Sequence, residues 1–255
     1  MIDSGTPLVR VTQEGSAVWV QLNREDKLNA LNREILGGLS HVLTHVEQAA
    51  GDHRLRAMVI TGAGTRAFCA GADLKQVKSS PIPQFHADNM AGHRVFARLR
   101  SLPVPVIAAI NGVALGGGLE LALACDIRLA VTSARLGLPE VKVGVLPGWG
   151  GTWRLAEAVG AAKARELVLT GELLEAPEAA RIGLLSSVHD GEAALHARVQ
   201  DLVAQLGQNS AIALAHAKTL LNAHEHPAGV HGAAETGYVA ALLGTDHFTT
   251  ATSDF

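Results

Sequence analysis

The order of apolar and polar positions predicts a chain that opens with two strands and then alternates helices with strands. Residues 8–12 and 17–22 alternate with period two on either side of Glu14-Gly15-Ser16, which is typical of a β-hairpin. Residues 29–50 have apolar positions at helical spacing. Three short apolar runs predict buried strands at residues 57–61, 104–110 and 127–131, with a helix at residues 85–102 before the second of them.

Strands that alternate with helices indicate an α/β fold with ligand loops at the strand ends. From about Glu192 onward glycine becomes rarer, and Ala/Leu-rich helical patterns dominate at residues 195–206, 211–223 and 233–243. These patterns are too apolar to be simply solvated around a monomer. We therefore divide the chain into an N-terminal domain at residues 1–191 and a helical C-terminal region at residues 192–255.

Composition limits the classes of protein that this chain can be. With 255 residues, 48% of them hydrophobic, it can form one large core. The 21 Lys+Arg against 24 Asp+Glu give a net charge of -3, so no basic excess points to nucleic acid or to an anionic membrane. Two cysteines, Cys69 and Cys125, are too few for a disulfide framework and fit a reducing, cytoplasmic compartment.

The sequence contains no clear signal for export, for a membrane span or for a metal site. Residues 1–10 lack an export or transit pattern, and the most apolar tract, residues 104–131, is interrupted by polar residues, so we expect no membrane span. Position 121 is leucine, so the dinucleotide fingerprint fails, and the phosphate-loop, zinc-protease and hydrolase-elbow motifs do not occur. His41 and His45 have a metal-compatible spacing but lack a third ligand, and His224 and His226 read as loop residues; we expect no metal.

Two glutamates beside glycine-rich turns are the strongest chemical signal. Glu120 ends the run that contains Gly116-Gly117-Gly118, and Glu140 precedes a second glycine-rich stretch. Glycines allow a backbone to approach a ligand closely, and a neighbouring carboxylate can transfer protons there. The alternative for each glutamate is a surface or salt-bridged carboxylate, which is the usual state of this residue. The pattern favours acid–base chemistry next to an anion-stabilising N–H group.

Four motifs extend this signal along almost the whole chain, in an order and spacing shared with a known family. They are Asn23-Arg24 with Lys27-Leu28-Asn29-Ala30-Leu31, Phe68-Cys69-Ala70-Gly71-Ala72-Asp73-Leu74, Ala108-Ala109-Ile110-Asn111-Gly112 with Gly116-Gly117-Gly118-Leu119-Glu120, and Pro139-Glu140 through Gly151-Thr152. Through them the chain resembles the crotonase superfamily, specifically the enoyl-CoA hydratase/isomerase family. The resemblance implies a spiral of ββα units that forms the catalytic domain, followed by a helical trimerisation region.

The resemblance also implies a site. An acyl-CoA thioester would place its carbonyl oxygen between the backbone N–H groups of Ala72 and Gly117, where fixed donors stabilise an enolate. Glu120 would help to activate a water for attack at C3, and Glu140 would exchange the proton at C2. The N–H of Gly148 would help to hold that water, although a plain turn glycine is the alternative. Coenzyme A arrives as part of the substrate, so no separate cofactor is expected.

Further residues are assigned to substrate binding by the same resemblance. The stretches that would lie along the CoA contain Lys27 and Leu28, and then Ala70, Asp73, Leu74 and Lys75. For the two lysines, ordinary solvated side chains are the alternative. Cys69 lacks a neighbouring base and is interpreted as a packing residue. Trp149 and Trp153 could line the acyl pocket or fill the core, and the sequence does not decide between these.

Three functional alternatives remain at this stage. Isomerases of the family often keep only the Glu140-type residue, so the presence of both glutamates favours hydration over isomerisation or a specialised dehydration. A non-catalytic RNA-binding role is disfavoured by the acidic balance and the intact glutamate pair.

The family implies a homotrimer, or a hexamer of two trimers. Many relatives continue beyond the position of Phe255 into a final helix, so weaker CoA binding, a different assembly contact or a shortened chain are all open.

Overall fold

The computed structural model describes residues 2–50 and 55–222, together with Thr236, Gly237, Val239, Ala240, Leu243, Thr249 and Ser253. Its strands are β1 (Val9–Glu14), β2 (Ala17–Leu22), β3 (Ala57–Gly62), β4 (Ala67–Cys69), β5 (Val106–Ile110), β6 (Val113–Leu115), β7 (Ile127–Val131), β8 (Arg135–Gly137), β9 (Leu173–Glu175) and β10 (Ser187–His189). Its helices are α1 (Arg33–Ala50), α2 (Leu74–Ser79), α3 (Ile82–Ser101), α4 (Gly117–Leu123), α5 (Gly151–Val159), α6 (Ala161–Thr170), α7 (Ala176–Arg181), α8 (Gly191–Gly207) and α9 (Ala211–Asn222).

The predicted hairpin is confirmed, and its first strand is longer than predicted. Strands β1 and β2 pair antiparallel from Val9 opposite Leu22 to Glu14 opposite Ala17. Gly15 in the two-residue turn has φ +57°, a conformation that glycine adopts without strain. Because so tight a turn lets the backbone ladder continue to its last pair, β1 reaches Glu14 although that side chain is polar and exposed.

The large sheet has the strand order β1-β2-β3-β5-β7-β10, and every pairing beyond the hairpin is parallel. Strand β5 is buried along its full length, and β3 is buried at all but one position. Parallel strands covered on both faces need continuous apolar sequence, which is why the apolar runs in the sequence predicted these strands correctly. Helix α8 packs on β5, β7 and β10, while α1 packs on β1 and α3.

A second sheet, with the order β4-β6-β8-β9, lies outside what the sequence pattern predicted. Its strands have three residues each, which is too short for a period-two signal. Along the chain, β3 is followed by β4, β5 by β6 and β7 by β8, so each turn gives one strand to each sheet before the next helix. This repeated path confirms the expected spiral of ββα units.

Two helices begin at positions that differ from the prediction. Helix α1 begins at Arg33, four residues late, because Leu28 and Asn29 adopt left-handed φ angles of 50° and 57° and Leu31 pairs with the loop at Gly71. The Asn32 side chain then caps the helix by accepting the Ile35 N–H at 2.8 Å. Helix α3 begins three residues early, directly after Pro81.

The C-terminal region begins with the two predicted helices. Helix α8 spans Gly191–Gly207, and α9 spans Ala211–Asn222. Position 223, most of the predicted helix at residues 233–243, and His224 and His226 lie outside the described residues. Among the helices of the described ranges, none is both long enough and apolar enough to cross a bilayer.

Candidate active site

A cavity of about 400 Å³ opens where the loops between the two sheets meet. It contains seven of the residues that the sequence assigned to the site: Ala70, Ala72, Leu74, Gly117, Glu120, Glu140 and Gly148. The remaining wall is largely apolar and includes Leu115, Val143, Val145, Leu146 and Trp149. An apolar cavity with a few convergent polar groups is the usual form of a small-molecule site.

The first side of the cavity is a loop whose backbone is fixed by its pairing with Leu31. The Leu31 N–H donates to the Gly71 carbonyl at 2.7 Å, and the Leu31 carbonyl accepts the Asp73 N–H at 2.8 Å. Ala72 lies between these two partners in the same parallel bridge. Because backbone groups alternate in direction along an extended strand, the N–H of Ala72 points away from Leu31.

Helix α4 supplies the second backbone donor. Gly116 precedes it with φ 51° and ψ -126°, a combination open to glycine but strained for other residues. Gly117 is therefore the first helical residue, and the N–H groups of a first turn have no partner within their own helix. A methyl group built on Gly117 would lie 3.4 Å from the Ala72 nitrogen. The two backbone nitrogens are thus neighbours at one wall of the cavity.

Glu120 lies in the first turn of α4 and is only 1% exposed. Its Oε1 atom accepts two backbone N–H groups, from Trp149 at 2.7 Å and from Gly151 at 2.8 Å. Backbone donors to a carboxylate form short, charge-assisted hydrogen bonds, and the start of a helix adds partial positive charge. The glutamate is therefore held in one orientation at the cavity wall.

The loop that holds Glu120 is itself fixed by three side chains. The Gly148 carbonyl accepts the Asn89 amide at 3.2 Å, and the imidazole of His93 also hydrogen-bonds to the backbone of Gly148. The Trp149 carbonyl accepts Nη1 of Arg154 at 2.5 Å. Burial, together with the nearby Arg154 charge, lowers the pKa of His93 to about 4, so this imidazole is neutral at neutral pH.

Glu140 enters the cavity from a different element. It lies in the 3₁₀ turn Pro139–Val143, which follows β8 directly. Its Oε1 atom lies against Gly116, because a methyl group built on Gly116 would approach it to 3.0 Å. Glu120 and Glu140 thus reach one cavity from α4 and from the 3₁₀ turn, and the backbone nitrogens of Ala72 and Gly117 lie at the same cavity.

Comparison with known proteins identifies the family of the chain. The sequence profile described as enoyl-CoA hydratase/isomerase matches residues 12–247. The chain belongs to the enoyl-CoA hydratase/isomerase family. A short-chain-enoyl-CoA hydratase of Clostridium acetobutylicum is 38% identical over 214 residues, which cover 84% of this chain and 80% of that protein. A crotonyl-CoA hydratase of Syntrophomonas wolfei is 40% identical over 167 residues, 66% of this chain and 63% of that protein.

The fold of the family is also found among solved structures. The crystal structure of an enoyl-CoA hydratase from Bacillus anthracis superposes with a TM-score of 0.82 at 34% identity, covering 93% of this chain and 90% of that chain. The expected family and the crotonase-like fold are therefore both confirmed.

Four residues that the sequence assigned to CoA binding do not line the cavity. Lys27 and Lys75 are exposed, and Leu28, which follows Lys27 in the chain, is 37% exposed. Asp73 caps α2 by accepting the N–H groups of Lys75 and Gln76, and it pairs with Arg24 at 2.6 Å. Their roles toward CoA stay predictions.

The charge of Asp73 follows from these contacts. Burial alone would raise the pKa of this carboxyl, but the hydrogen bonds from Arg24 and from the Gln76 N–H outweigh burial and hold it below its ordinary value. Asp73 is therefore ionised at neutral pH, and it anchors the loop that carries Ala72.

The two tryptophans, Trp149 and Trp153, lie in different positions relative to the cavity. Trp149 lines the cavity and is also packed, at 7% exposure, with its ring edge-on to Phe96 at 5.6 Å. Trp153 does not line the cavity, and its ring stacks under the guanidinium of Arg154 at 4.3 Å. Cys69 is fully buried and its pKa is raised to about 12 by burial, as expected for a packing residue.

Metal ligands were not expected, and the described part of the chain contains no group of three or more His, Cys, Asp or Glu residues placed to hold a metal ion. The sequence interpretation did miss two residues of the site, Asn89 and His93. A signal for the first was present, because Asn89 falls in the buried stripe of α3 that also contains Phe85, Gly92 and Phe96. A polar residue in such a stripe needs a hydrogen-bond partner in the interior.

Proposed function

We propose that this chain is an enoyl-CoA hydratase, which adds water across the 2,3 double bond of a 2-enoyl-CoA thioester. The observation that carries the proposal is the meeting of two glutamates, Glu120 and Glu140, with the neighbouring backbone nitrogens of Ala72 and Gly117 in one apolar cavity. The names of the two relatives, a short-chain-enoyl-CoA and a crotonyl-CoA hydratase, support a short acyl chain.

The backbone donors stabilise the charge that forms during addition. When a nucleophile attacks C3, electrons move through C2 to the thioester oxygen, which becomes an enolate. In the proposed complex this oxygen accepts the N–H groups of Ala72 and Gly117. One preorganised donor of this kind typically contributes about 3 kcal/mol to transition-state stabilisation. The dipole at the start of α4 acts in the same direction.

The two glutamates divide the proton transfers. Glu120 accepts a proton from the bound water while the water oxygen forms its bond to C3, and protonated Glu140 donates a proton to C2. Each addition therefore moves one proton onto Glu120 and removes one from Glu140, and exchange between them or with solvent restores the starting state. Two N–H donors hold Glu120 Oε1 at the cavity wall, where we place the water. We assign the N–H of Gly148 to holding the same water.

Substrate binding follows the family pattern. Ala70 and Leu74 line the cavity, while the surface around it carries Lys27, Leu28, Asp73 and Lys75, to which we assign contacts with the CoA. Because coenzyme A enters with the substrate, the proposed reaction needs no further cofactor. A cytoplasmic location is supported by the cysteines, which are both buried free thiols.

We further propose a homotrimer, or a hexamer of two trimers, assembled through the C-terminal region. Helix α9 supports this proposal, since its single buried side chain belongs to Lys218. That lysine pairs with Asp126 at 2.7 Å, while Ile212, Leu220 and Leu221 are 54%, 68% and 78% exposed. Exposed apolar side chains on a docked helix are typical of a surface that another subunit covers.

The proposed function is tested with crotonyl-CoA, by following the loss of ultraviolet absorbance of its conjugated thioester. Glu120→Gln and Glu140→Gln should each lower turnover at least about a hundredfold, because a positioned acid or base contributes about that much. Glu172→Gln changes an exposed glutamate outside the cavity and serves as the matched control. A folded single variant with near-normal hydration contradicts the assignment. Migration of a 3-enoyl double bond without hydration would instead identify an isomerase.

A further inference from the structure

The peptide unit between Gly148 and Trp149 is hydrogen-bonded on both of its sides. Its carbonyl oxygen accepts Nδ2 of Asn89 at 3.2 Å, and its N–H donates to Oε1 of Glu120 at 2.7 Å. A peptide unit is planar and conjugated, so a donor at the oxygen fixes the direction of the N–H. Hydrogen bonds in series also polarise one another, so the same donor strengthens the bond to Glu120.

The hydrogen bonds of Asn89 hold this peptide in place. It lies on α3 and is only 4% exposed. Its Nδ2 atom makes a second hydrogen bond, to Oγ1 of Thr236 at 2.8 Å, so both amide hydrogens are used. Its backbone carbonyl accepts the indole N–H of Trp149 at 3.1 Å. One residue of α3 thus contacts Gly148 and Trp149 through two separate groups, which fixes the loop relative to the helix.

We infer that Asn89 is a positioning residue for the hydration reaction and that it acts on Glu120 through the Gly148–Trp149 peptide. The inference rests on the proposed function, since it assigns Glu120 to the water. Without the amide donor the Gly148 backbone keeps its hydrogen bond with His93, but the peptide is held less firmly, and the bond from the Trp149 N–H to Glu120 Oε1 weakens. The carboxylate keeps its place in the cavity but loses its single orientation toward the water.

The kinetic test uses Asn89→Leu, which keeps the number and branching of the side-chain heavy atoms and removes the donor. We expect kcat for crotonyl-CoA to fall by about 10- to 30-fold, with KM within about threefold, because Asn89 lines the cavity but is not among the residues to which we assign contacts with the CoA. In the Glu120→Gln background the same substitution should cost less than about threefold, since a residue that acts through another loses its effect when that partner is gone. Thr236→Val removes only the second amide contact and should stay within about threefold of the unmodified protein.

A structural readout makes the test independent of turnover. The chain has three tryptophans, so protein labelled with ¹⁵N at tryptophan gives few backbone and indole N–H signals, which Trp19→Phe and Trp153→Phe assign. In Asn89→Leu the backbone N–H of Trp149 should move upfield as its bond to Glu120 weakens. The indole N–H of Trp149 should not move, because its acceptor is the backbone carbonyl at position 89.

The outcomes separate this inference from the proposed function. Unmodified protein that does not hydrate crotonyl-CoA contradicts the proposed function, and the spectra still decide whether Asn89 orients the peptide. An unmoved Trp149 backbone signal overturns the inference. So does an equal rate loss in the presence and absence of Glu120, or a loss in Thr236→Val as large as that in Asn89→Leu, since either result assigns Asn89 to packing alone.

Discussion

Replacing Gly117 with alanine tests how the oxyanion-type donor and the cavity wall depend on each other. The substitution keeps the N–H group, so it removes no hydrogen bond. The added methyl group, however, would lie 2.5 Å from Cζ3 and 2.7 Å from Cε3 of Trp149. Carbon atoms in contact are normally about 3.5–4.0 Å apart, so the ring or the helix must move by about 1 Å.

The Trp149 ring has no room to retreat. On its other side it lies against Gly92, where a methyl group would approach Nε1 to 2.4 Å, and its indole N–H is bonded to the Asn89 carbonyl. Forcing extra volume into such a contact typically costs about 1–3 kcal/mol of folding free energy. Because the Trp149 backbone also holds Glu120, a displacement of about 1 Å should lower turnover by about 100-fold.

The assay is crotonyl-CoA hydration combined with thermal unfolding of four proteins: the unmodified chain, Gly117→Ala, Trp149→Leu and the double variant. Leucine lacks the ring atoms that the methyl group meets, so the double variant should be more active than the product of the two single effects predicts. Gly37→Ala is the matched control, because Gly37 is exposed on α1 with nothing within 4 Å of an added methyl group. Additive losses, or full activity in Gly117→Ala alone, would refute the steric reasoning.

Two further predictions concern stability and assembly. The unfolded chain protonates His93 below about pH 6.5 but the folded chain only below about pH 4, so folding stability falls as pH drops through this window. In His93→Gln the loss of folding stability between pH 7.5 and 4.5, measured by urea unfolding, should be smaller by roughly 2 kcal/mol. If the folding stability of both proteins fell equally with pH, His93 would not be the cause. For assembly, Leu220→Asp combined with Leu221→Asp should lower the mass measured by light scattering at micromolar concentration to that of one chain, and an unchanged mass would exclude this face from the interface.

Much of the large sheet was predictable because the burial of each strand can be read from that strand's own sequence. Strands β3, β5 and β7 are buried in a parallel sheet, so each appears as an apolar run of its own. The small sheet was not predictable in this way, since a strand such as Val113–Leu115 is defined by its partners rather than by its own pattern. The late start of α1 likewise depends on a tertiary event, the pairing of Leu31 with the loop at Gly71.

In the site, too, some residues could be predicted from nearby sequence and others depend on contacts formed in the fold. Glu120 and Glu140 were found through the glycine motifs beside them, and the fold brings both to one cavity. Asn89 and His93 belong to no motif. The buried stripe of α3 indicates that Asn89 needs a partner in the interior, but only the fold shows that this partner is the loop at Gly148. The Arg24 pair of Asp73 was missed for the same reason, because 49 residues separate the two side chains in sequence.

The glycine run before Glu120 has a packing role that motif reasoning did not predict. From the sequence, glycine there meant close approach of a ligand. In the structure each glycine has a different protein neighbour: Glu140 for Gly116, the Trp149 ring for Gly117, and the Cys69 carbonyl, which a methyl group on Gly118 would approach to 2.0 Å. The run therefore joins α4, the 3₁₀ turn and β4 tightly enough to form a wall. The close packing of the protein around the other side of this turn would hold the N–H of Gly117 in place for the proposed ligand.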